Sequence, residues 1–431
     1  MRLLPIPREP RLGDLTAAPL CLVLFLAVAP CRSSGPAAAQ EPAERIYLTG
    51  ATVVDGVSAE ALPGATVIVE GRTIASVETG AFSPPAGAEV IDIHGYHLVP
   101  GLIDAHTHVS TLAGLRRAVA TGVTTVRTAG VRSYRDFAIR EMVRDDRLPG
   151  PDVLAAGLYV QPDLGERVLA DPRLAPLHGS GANTPEEIRT LVGINLDYGA
   201  DWIKTRGTAR AGLPEQDPRE QIYTESQLRV VVEEAGRAGV PVMAHAHGDE
   251  GMRAAVRAGV RSIEHGTYAS DETLRLMRDR GVFLVPTLVV MVGMGQEGEY
   301  DDPRLFLRKL HMGPRALETA ARAYELGVPL ATGADTYYTE RNVATVGREV
   351  AYLIDAGVPP RNAFRAATSR GAELLGIDDL TGSIRPGLEA DLLVVERDPV
   401  EHPRTLQDPL LVMSNGTVVH SRLPFTREEG R

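Results

Sequence analysis

Polar side chains of metal-ligating or proton-transferring type close a series of short apolar runs in this 431-residue chain. They are His106 and His108 in "GLIDAHTHVS", Lys204 in "ADWIKTRG", His245 and His247 in "VMAHAHG", His265 in "SIEHG" and Asp335 in "LATGADT". Residues i and i+2 of a strand share a face, so His106 and His108 would project together from a strand end, a chelating geometry for a divalent cation. The pair alone is equally compatible with one capping and one solvated imidazole. Lys204 raises a different question, because an ammonium buried behind Trp202 and Ile203 is costly unless something compensates it. Taken singly, each group has a structural explanation: a strand-end lysine snorkels, an aspartate caps the next helix, a histidine packs with a hydrogen bond. Their common register at the ends of five runs favours one shared site that combines metal ligation with general-base chemistry.

For the groups to meet, those runs must lie side by side. Short apolar strands alternate with amphipathic stretches such as "TPEEIRTLVGINLDYG" (184–199), "TESQLRVVVEEAGRAG" (224–239) and "DETLRLMRDRG" (271–281), the pattern of parallel β/α units. The candidate strands are "LVPGLIDAHTH", "GVTTVRTAG", "PDVLAAG", "ADWIKTRG", "VPVMAHAHG", "RSIEHGTY", "VFLVPTLVV" and "VPLATGADTY". Eight such units close a (β/α)8 TIM barrel, whose chemistry sits at the C-terminal strand ends. Segments 158–183 and 205–223 are irregular, rich in Gly, Pro and Asp, and would overhang that face. Glycine-punctuated β-branched runs at 45–54, 65–77 and 89–99 recur in texture at 390–399 and 410–420, which predicts a small β-sandwich built from both termini. The expected architecture is α/β, with a barrel over 98–378 and a small β domain from 40–97 and 379–431.

Residues 1–39 stand outside this pattern. Arg2, Arg8 and Arg11 precede an apolar stretch (17–29) too short to span a bilayer comfortably, and "AAA" before Gln40 offers a signal-peptidase site. The expectation is a cleaved export signal and a periplasmic or extracellular protein without stable membrane insertion. Lipid anchoring at Cys31 ranks second, since Pro30 stands where a small residue is wanted. Both cysteines, Cys21 and Cys31, lie in this leader, so the mature chain would hold no disulfide. A formal net charge of −11 without a run of like charge argues against a nucleic-acid surface. A homo-oligomer is left open.

As an ordered set, "PGLIDAHTH", "DWIKTRG", "VMAHAHG", "SIEHG", "LATGADT" and the closing "GSIRPGLEADLLVVERDP" resemble the amidohydrolase superfamily over essentially the whole mature chain. The likeness is nearest to its imidazolonepropionase-related group, with Xaa-Pro and Xaa-Arg dipeptidases, N-acyl amino acid carboxypeptidases and ochratoxin-hydrolysing amidases. The resemblance implies one metal on His106 and His108, a second on His245 and His265, and a CO2-derived carbamate on Lys204 bridging them. Zinc is the expected metal. Carbamylation would turn the buried cation into an anion that two divalent ions neutralise, which answers the burial question. Asp335 would ligate the first metal and act as general base toward a hydroxide shared by both ions.

The lysine favours dinuclear hydrolases over deaminases and imidazolonepropionases. The expected reaction is hydrolysis of an amide or peptide bond next to a free carboxylate, in a dipeptide, an N-acyl amino acid or an ochratoxin-like amide. Tyr223 matches a tyrosine that relatives carry ahead of the fifth-strand helix, and is expected at the oxyanion or the carboxylate. Arg206, on the face of Lys204, is a candidate carboxylate partner, and His247, on the face of His245, a substrate or outer contact. His178 in "PLHGSG" is a further substrate-contact candidate, framed differently from the "GGHG"-like turn of relatives. The rival readings are the same site acting on a lactone or phosphotriester, a mononuclear deaminase or cyclic amide hydrolase, and a non-catalytic barrel scaffold.

Overall fold

The computed structural model describes residues 45–293, 302–339 and 344–423, so the expected leader lies outside the described residues. The N-terminal part contributes β1 (Arg45–Val53), β2 (Leu62–Glu70), β3 (Thr73–Glu78), β4 (Glu89–Asp92) and β5 (His97–Pro100). The central part contributes β6 (Leu102–Thr107), β7 (Val123–Thr128), β8 (Asp152–Leu154), β9 (Ile203–Arg206), β10 (Val242–Ala246), β11 (Ser262–His265) and β12 (Phe283–Val285). The C-terminal part adds β13 (Leu392–Val395), β14 (Leu411–Ser414) and β15 (Thr417–Ser421).

Strands from both ends of the chain share one eight-stranded sheet, ordered β15-β14-β13-β5-β1-β2-β3 with β4 beside β1. The seam between the ends is the antiparallel pair β13–β5, with Leu392 opposite Pro100 and Val394 opposite Leu98. Leu48, Val67, Leu98, Leu392 and Met413 meet in one buried cluster. The β14–β15 hairpin turns at Asn415 and Gly416, both left-handed (φ +51° and +76°), as a two-residue turn matched to strand twist requires. A Cβ on Gly416 would also lie 2.0 Å from the Gly71 carbonyl oxygen, so the close approach to the β2–β3 turn demands glycine as well.

The central strands are parallel, β6-β7-β8 in one group and β9-β10-β11-β12 in another. Single parallel bridges extend them: Val160 to Thr205, Leu284 to Leu330, and Thr107 to Thr336. The eighth expected strand, "VPLATGADTY", is thus represented only by bridges at Leu330 and Thr336. The seventh, "VFLVPTLVV", ends at Val285, which corrects its reading as one continuous strand. Pro286 lacks an amide donor, Thr287 turns left-handed (φ +51°), and Leu288–Gly293 continues as helix.

Two of the expected helices, Pro185–Asp197 and Glu225–Arg237, start at capping boxes formed by Thr184 with Glu187 and Thr224 with Gln227. The 23-residue helix Pro303–Glu325, begun by an Asp302 cap with proline in its first turn, has no counterpart among the stretches read from the sequence. Among the described residues, no helix is long and apolar enough to cross a membrane.

Candidate metal centre

The ends of β6, β9, β10 and β11, together with the 328–337 segment, deliver their polar residues to one cavity of about 730 Å3. His106, His108, Lys204, His245, His247, His265 and Asp335 all line it. His265 and Asp335 are left-handed, at φ +75° and +46°, a conformation that costs energy without a glycine. The break at His265 lets consecutive residues serve one centre: Glu264 holds His106 while His265 lines the cavity. The His265 ring centroid lies 5.1 Å from that of His106 and 4.6 Å from that of His245. Potential ligand atoms of His106, His265 and Asp335 lie within 4.8 Å of one another, as do those of His245, His247 and His265.

Hydrogen bonds orient the imidazoles. His108 Nδ1 lies 2.7 Å from the Gly130 carbonyl oxygen, which can only accept, so Nδ1 carries a proton. In the neutral ring, Nε2 then keeps its lone pair. That Nε2 stands 3.1 Å from Asp335 Oδ1, and His106 Nε2 stands 3.5 Å from the same oxygen. His106 Nδ1 is held by Glu264 Oε2 at 2.6 Å, and the Nδ1 atoms of His247 and His265 meet the hydroxyls of Thr267 and Thr287 at 2.8 and 2.7 Å. His245 is turned the other way, its Nε2 donating to the Ala209 carbonyl at 3.0 Å. Burial pushes His106 down to about 4 and His247 to about 3, and holds His245 and His265 well below the usual histidine value. Neutral imidazoles with a free lone pair are what a divalent cation needs.

Lys204 is 1% exposed, its Nζ has no hydrogen-bond partner among the described residues, and it lies 5.4 Å from the centre of the Tyr159 ring. Burial lowers its pKa to about 7. An orphaned buried amine beside neutral imidazoles and a carboxylate is a donor set that fits divalent ions once the amine acquires negative charge.

Arg206 lines the same cavity. It donates to Gln161 Oε1, lies 4.7 Å over the Tyr159 ring, and leaves Nε without a partner. Tyr223 does not reach the cavity, which corrects its assignment to the substrate. It is fully buried in the apolar core, where its hydroxyl donates to the Ala182 carbonyl. His178 is likewise absent from the lining and is exposed at the end of the turn Pro172–Leu177. Glu264 and Arg127 also belong to the site without being among the residues expected there, although a charge inside each of the buried runs "SIEHG" and "VTTVRTAG" marks them. The Thr267 and Thr287 hydroxyls and the Gly130 carbonyl carried no such local signal.

The Amidohydrolase family profile matches residues 97–419. Ochratoxinase of Aspergillus niger is 28% identical over 357 residues, 73% of either chain. Imidazolonepropionase of Anaeromyxobacter dehalogenans is 30% identical over 411 residues, covering 83% of this chain and 91% of that protein. Among solved structures, a Xaa-Pro dipeptidase with methionine bound in its active site matches with a TM-score of 0.78 at 26% identity, over 87% of this chain and 99% of that one. Family profile, relatives and a cavity built of metal-competent donors agree: this chain belongs to the amidohydrolase family and is a metal-dependent hydrolase of C–N bonds.

Proposed function

We propose that the chain is a dinuclear metal-dependent amide hydrolase that cleaves the bond next to a free carboxylate in dipeptides, N-acyl amino acids or related amides. The observation that carries the reading is the 3.1 Å approach of His108 Nε2 to Asp335 Oδ1. With His108 Nδ1 committed to Gly130, the Nε2 facing Asp335 Oδ1 either carries a second proton or shares a cation with the carboxylate, and a divalent ion there satisfies both groups.

His106, His108 and Asp335 would hold one ion and His245 and His265 the other, with Lys204 between them as a carbamate. The neutral Lys204 amine forms a C–N bond to CO2 and releases a proton to solvent, which leaves an anion where a cation was unfavourable. When bound, the divalent ions, zinc being the expected pair, supply Lewis-acid polarisation of the amide carbonyl and lower the pKa of water. Asp335 Oδ1 faces the two histidines, so Oδ2 is the atom that takes the proton of the attacking water and passes it to the amide nitrogen as the C–N bond breaks. The Arg206 guanidinium, which lines the cavity, donates to the substrate carboxylate, and His247 contacts the substrate from beside His245. The ochratoxinase and the Xaa-Pro dipeptidase among the similar proteins support an amide beside a carboxylate. The same reading takes the two parallel groups and the 328–336 segment as a closed eight-stranded barrel over 98–378, the terminal sheet as a small sandwich, and residues 1–39 as an export signal.

The test is a panel of dipeptides, N-acyl amino acids, esters, lactones and a phosphotriester, run with zinc and bicarbonate. Release of an amino acid from a carboxylate-terminated amide, reduced about 1000-fold or more by Asp335→Asn, is expected. Turnover of lactones or phosphotriesters alone would remove the amide assignment, and undiminished turnover in the variant would remove Asp335 from its role.

A further inference from the structure

The charge of the cavity wall is opposite to that of the chain. In a protein of formal net charge −11, the cavity is lined by Arg132, Arg135, Arg167, Arg206, Arg210 and Arg308 as well as two lysines, against Glu166 and Asp335. Among the described residues, no carboxylate lies within ion-pair distance of Arg132, Arg167, Arg206 or Arg210. Arg206 is 7% exposed, and among the described residues its Nε has no hydrogen-bond partner and Arg167 donates only to the Leu164 carbonyl, at 3.2 Å. Such unopposed charge is unfavourable by itself and becomes useful when a ligand brings the counter-charge.

The arrangement is also held in place before anything binds. Arg308, on the helix Pro303–Glu325, donates to the carbonyls of Ala211, Leu213, Pro214 and Gln216 at 2.7, 2.8, 3.3 and 2.7 Å. The Arg210 amide is fastened to Gln216 Oε1 at 2.9 Å. The loop that presents Arg210 is therefore strapped to a helix, and little ordering remains to be done on binding.

We propose that the substrate of this cleft carries two carboxylates: the α-carboxylate at Arg206, and a second on the side chain of the same residue, received by Arg167 and Arg210 with Arg132 at the rim. The preferred substrates are then N-acyl or peptidyl glutamate and aspartate. The proposal rests on the amide-hydrolase reading above and narrows it. Placement of both anions on one residue follows from the proximity of the cations. Arg132, Arg167, Arg206 and Arg210 line this one cavity and repel one another across it. Guanidinium groups that repel one another this way are relieved by an anion placed among them.

Glutamate and glutamine differ by charge at nearly constant shape, so they isolate the effect. With the metal-loaded full chain, kcat/KM for N-acetyl-L-glutamate should exceed that for N-acetyl-L-glutamine by about tenfold or more, and added salt should shrink the ratio. The double variant Arg167→Gln, Arg210→Gln should bring the ratio toward one, chiefly through KM. A wild-type ratio of one, or a preference for glutamine, overturns the proposal and leaves amide hydrolysis standing. If no amide on the panel is cleaved, calorimetry with free L-glutamate and L-glutamine decides. Tighter binding of glutamate supports a dianion cleft while the hydrolase reading falls, and equal binding overturns the proposal itself.

Discussion

Glu264 Oε2 accepts from His106 Nδ1 at 2.6 Å while its Oε1 accepts from Arg127 at 3.0 Å, and all three side chains are buried. Burial would raise the carboxyl, but Arg127 and the hydrogen bond from His106 outweigh it and hold Glu264 at about 2. A permanent carboxylate behind the ring keeps the proton on Nδ1 and the Nε2 lone pair directed at the cavity.

Glu264→Gln should therefore weaken metal binding by about 10- to 100-fold, read by chelator competition. It also leaves Arg127 buried with a reduced counter-charge, so unfolding in urea should show a loss on the order of 3 kcal/mol. Unchanged metal affinity would assign Glu264 to structure alone.

Lys204 tests the bridging group. Wild-type protein in 13C-bicarbonate should show a carbamate carbon resonance that is absent from Lys204→Ala, and elemental analysis should find fewer than two metals per chain in the variant. A full complement of two metals in Lys204→Ala would remove the bridge.

Gly333 has no room for a side chain, since a Cβ there would meet His106 Cβ at 2.5 Å and Val285 Cγ1 at 2.7 Å. Gly333→Ala must displace His106 from the contact that Glu264 fixes, at the centre of the donor set. Metal affinity is expected to fall at least about tenfold and thermal stability to drop with it. An alanine tolerated at wild-type metal affinity would show that the 328–336 segment yields more easily than its packing indicates.

A pH effect is expected outside the cavity lining, where Asp152, Glu389 and Asp391 bring carboxylate oxygens within 4.8 Å of one another beside the terminal sheet. Burial, then repulsion from Asp152, lift Glu389 and Asp391 to about 7, and burial raises Asp152 as well. Folded values above the unfolded ones mean that this contribution is complete below the ordinary carboxylate range and is lost as pH rises through about 7. The melting temperature should fall by several degrees between mildly acidic and mildly alkaline buffer. Asp152→Asn, which keeps an oxygen for the Asn415 amide now donating at 3.1 Å, should flatten that slope. A slope unaltered by the substitution would place its origin elsewhere.

Periodicity was enough to find most of the strands. His106 and His108 share a face because a strand alternates, and the Thr184 and Thr224 capping boxes mark their helices within four residues of sequence. These are local properties, written in the order of side chains along the chain. That the histidines, Lys204 and Asp335 occupy one cavity was foreseeable from their common register. That Tyr223 does not join them was not, because whether a residue ahead of a helix turns to a cleft or into the core depends on what packs against it. The same holds for the eighth strand, reduced to bridges at Leu330 and Thr336, and for the helix Pro303–Glu325, which supplies Arg308 to a loop some ninety residues earlier. Glu264 behind His106, the hydroxyls behind His247 and His265, and the gathering of arginines over the cavity are contacts between segments far apart in sequence. The chain by itself specified which groups could bind a metal, and only the packing of strands and loops decided which nitrogen each imidazole presents and which charge surrounds the substrate.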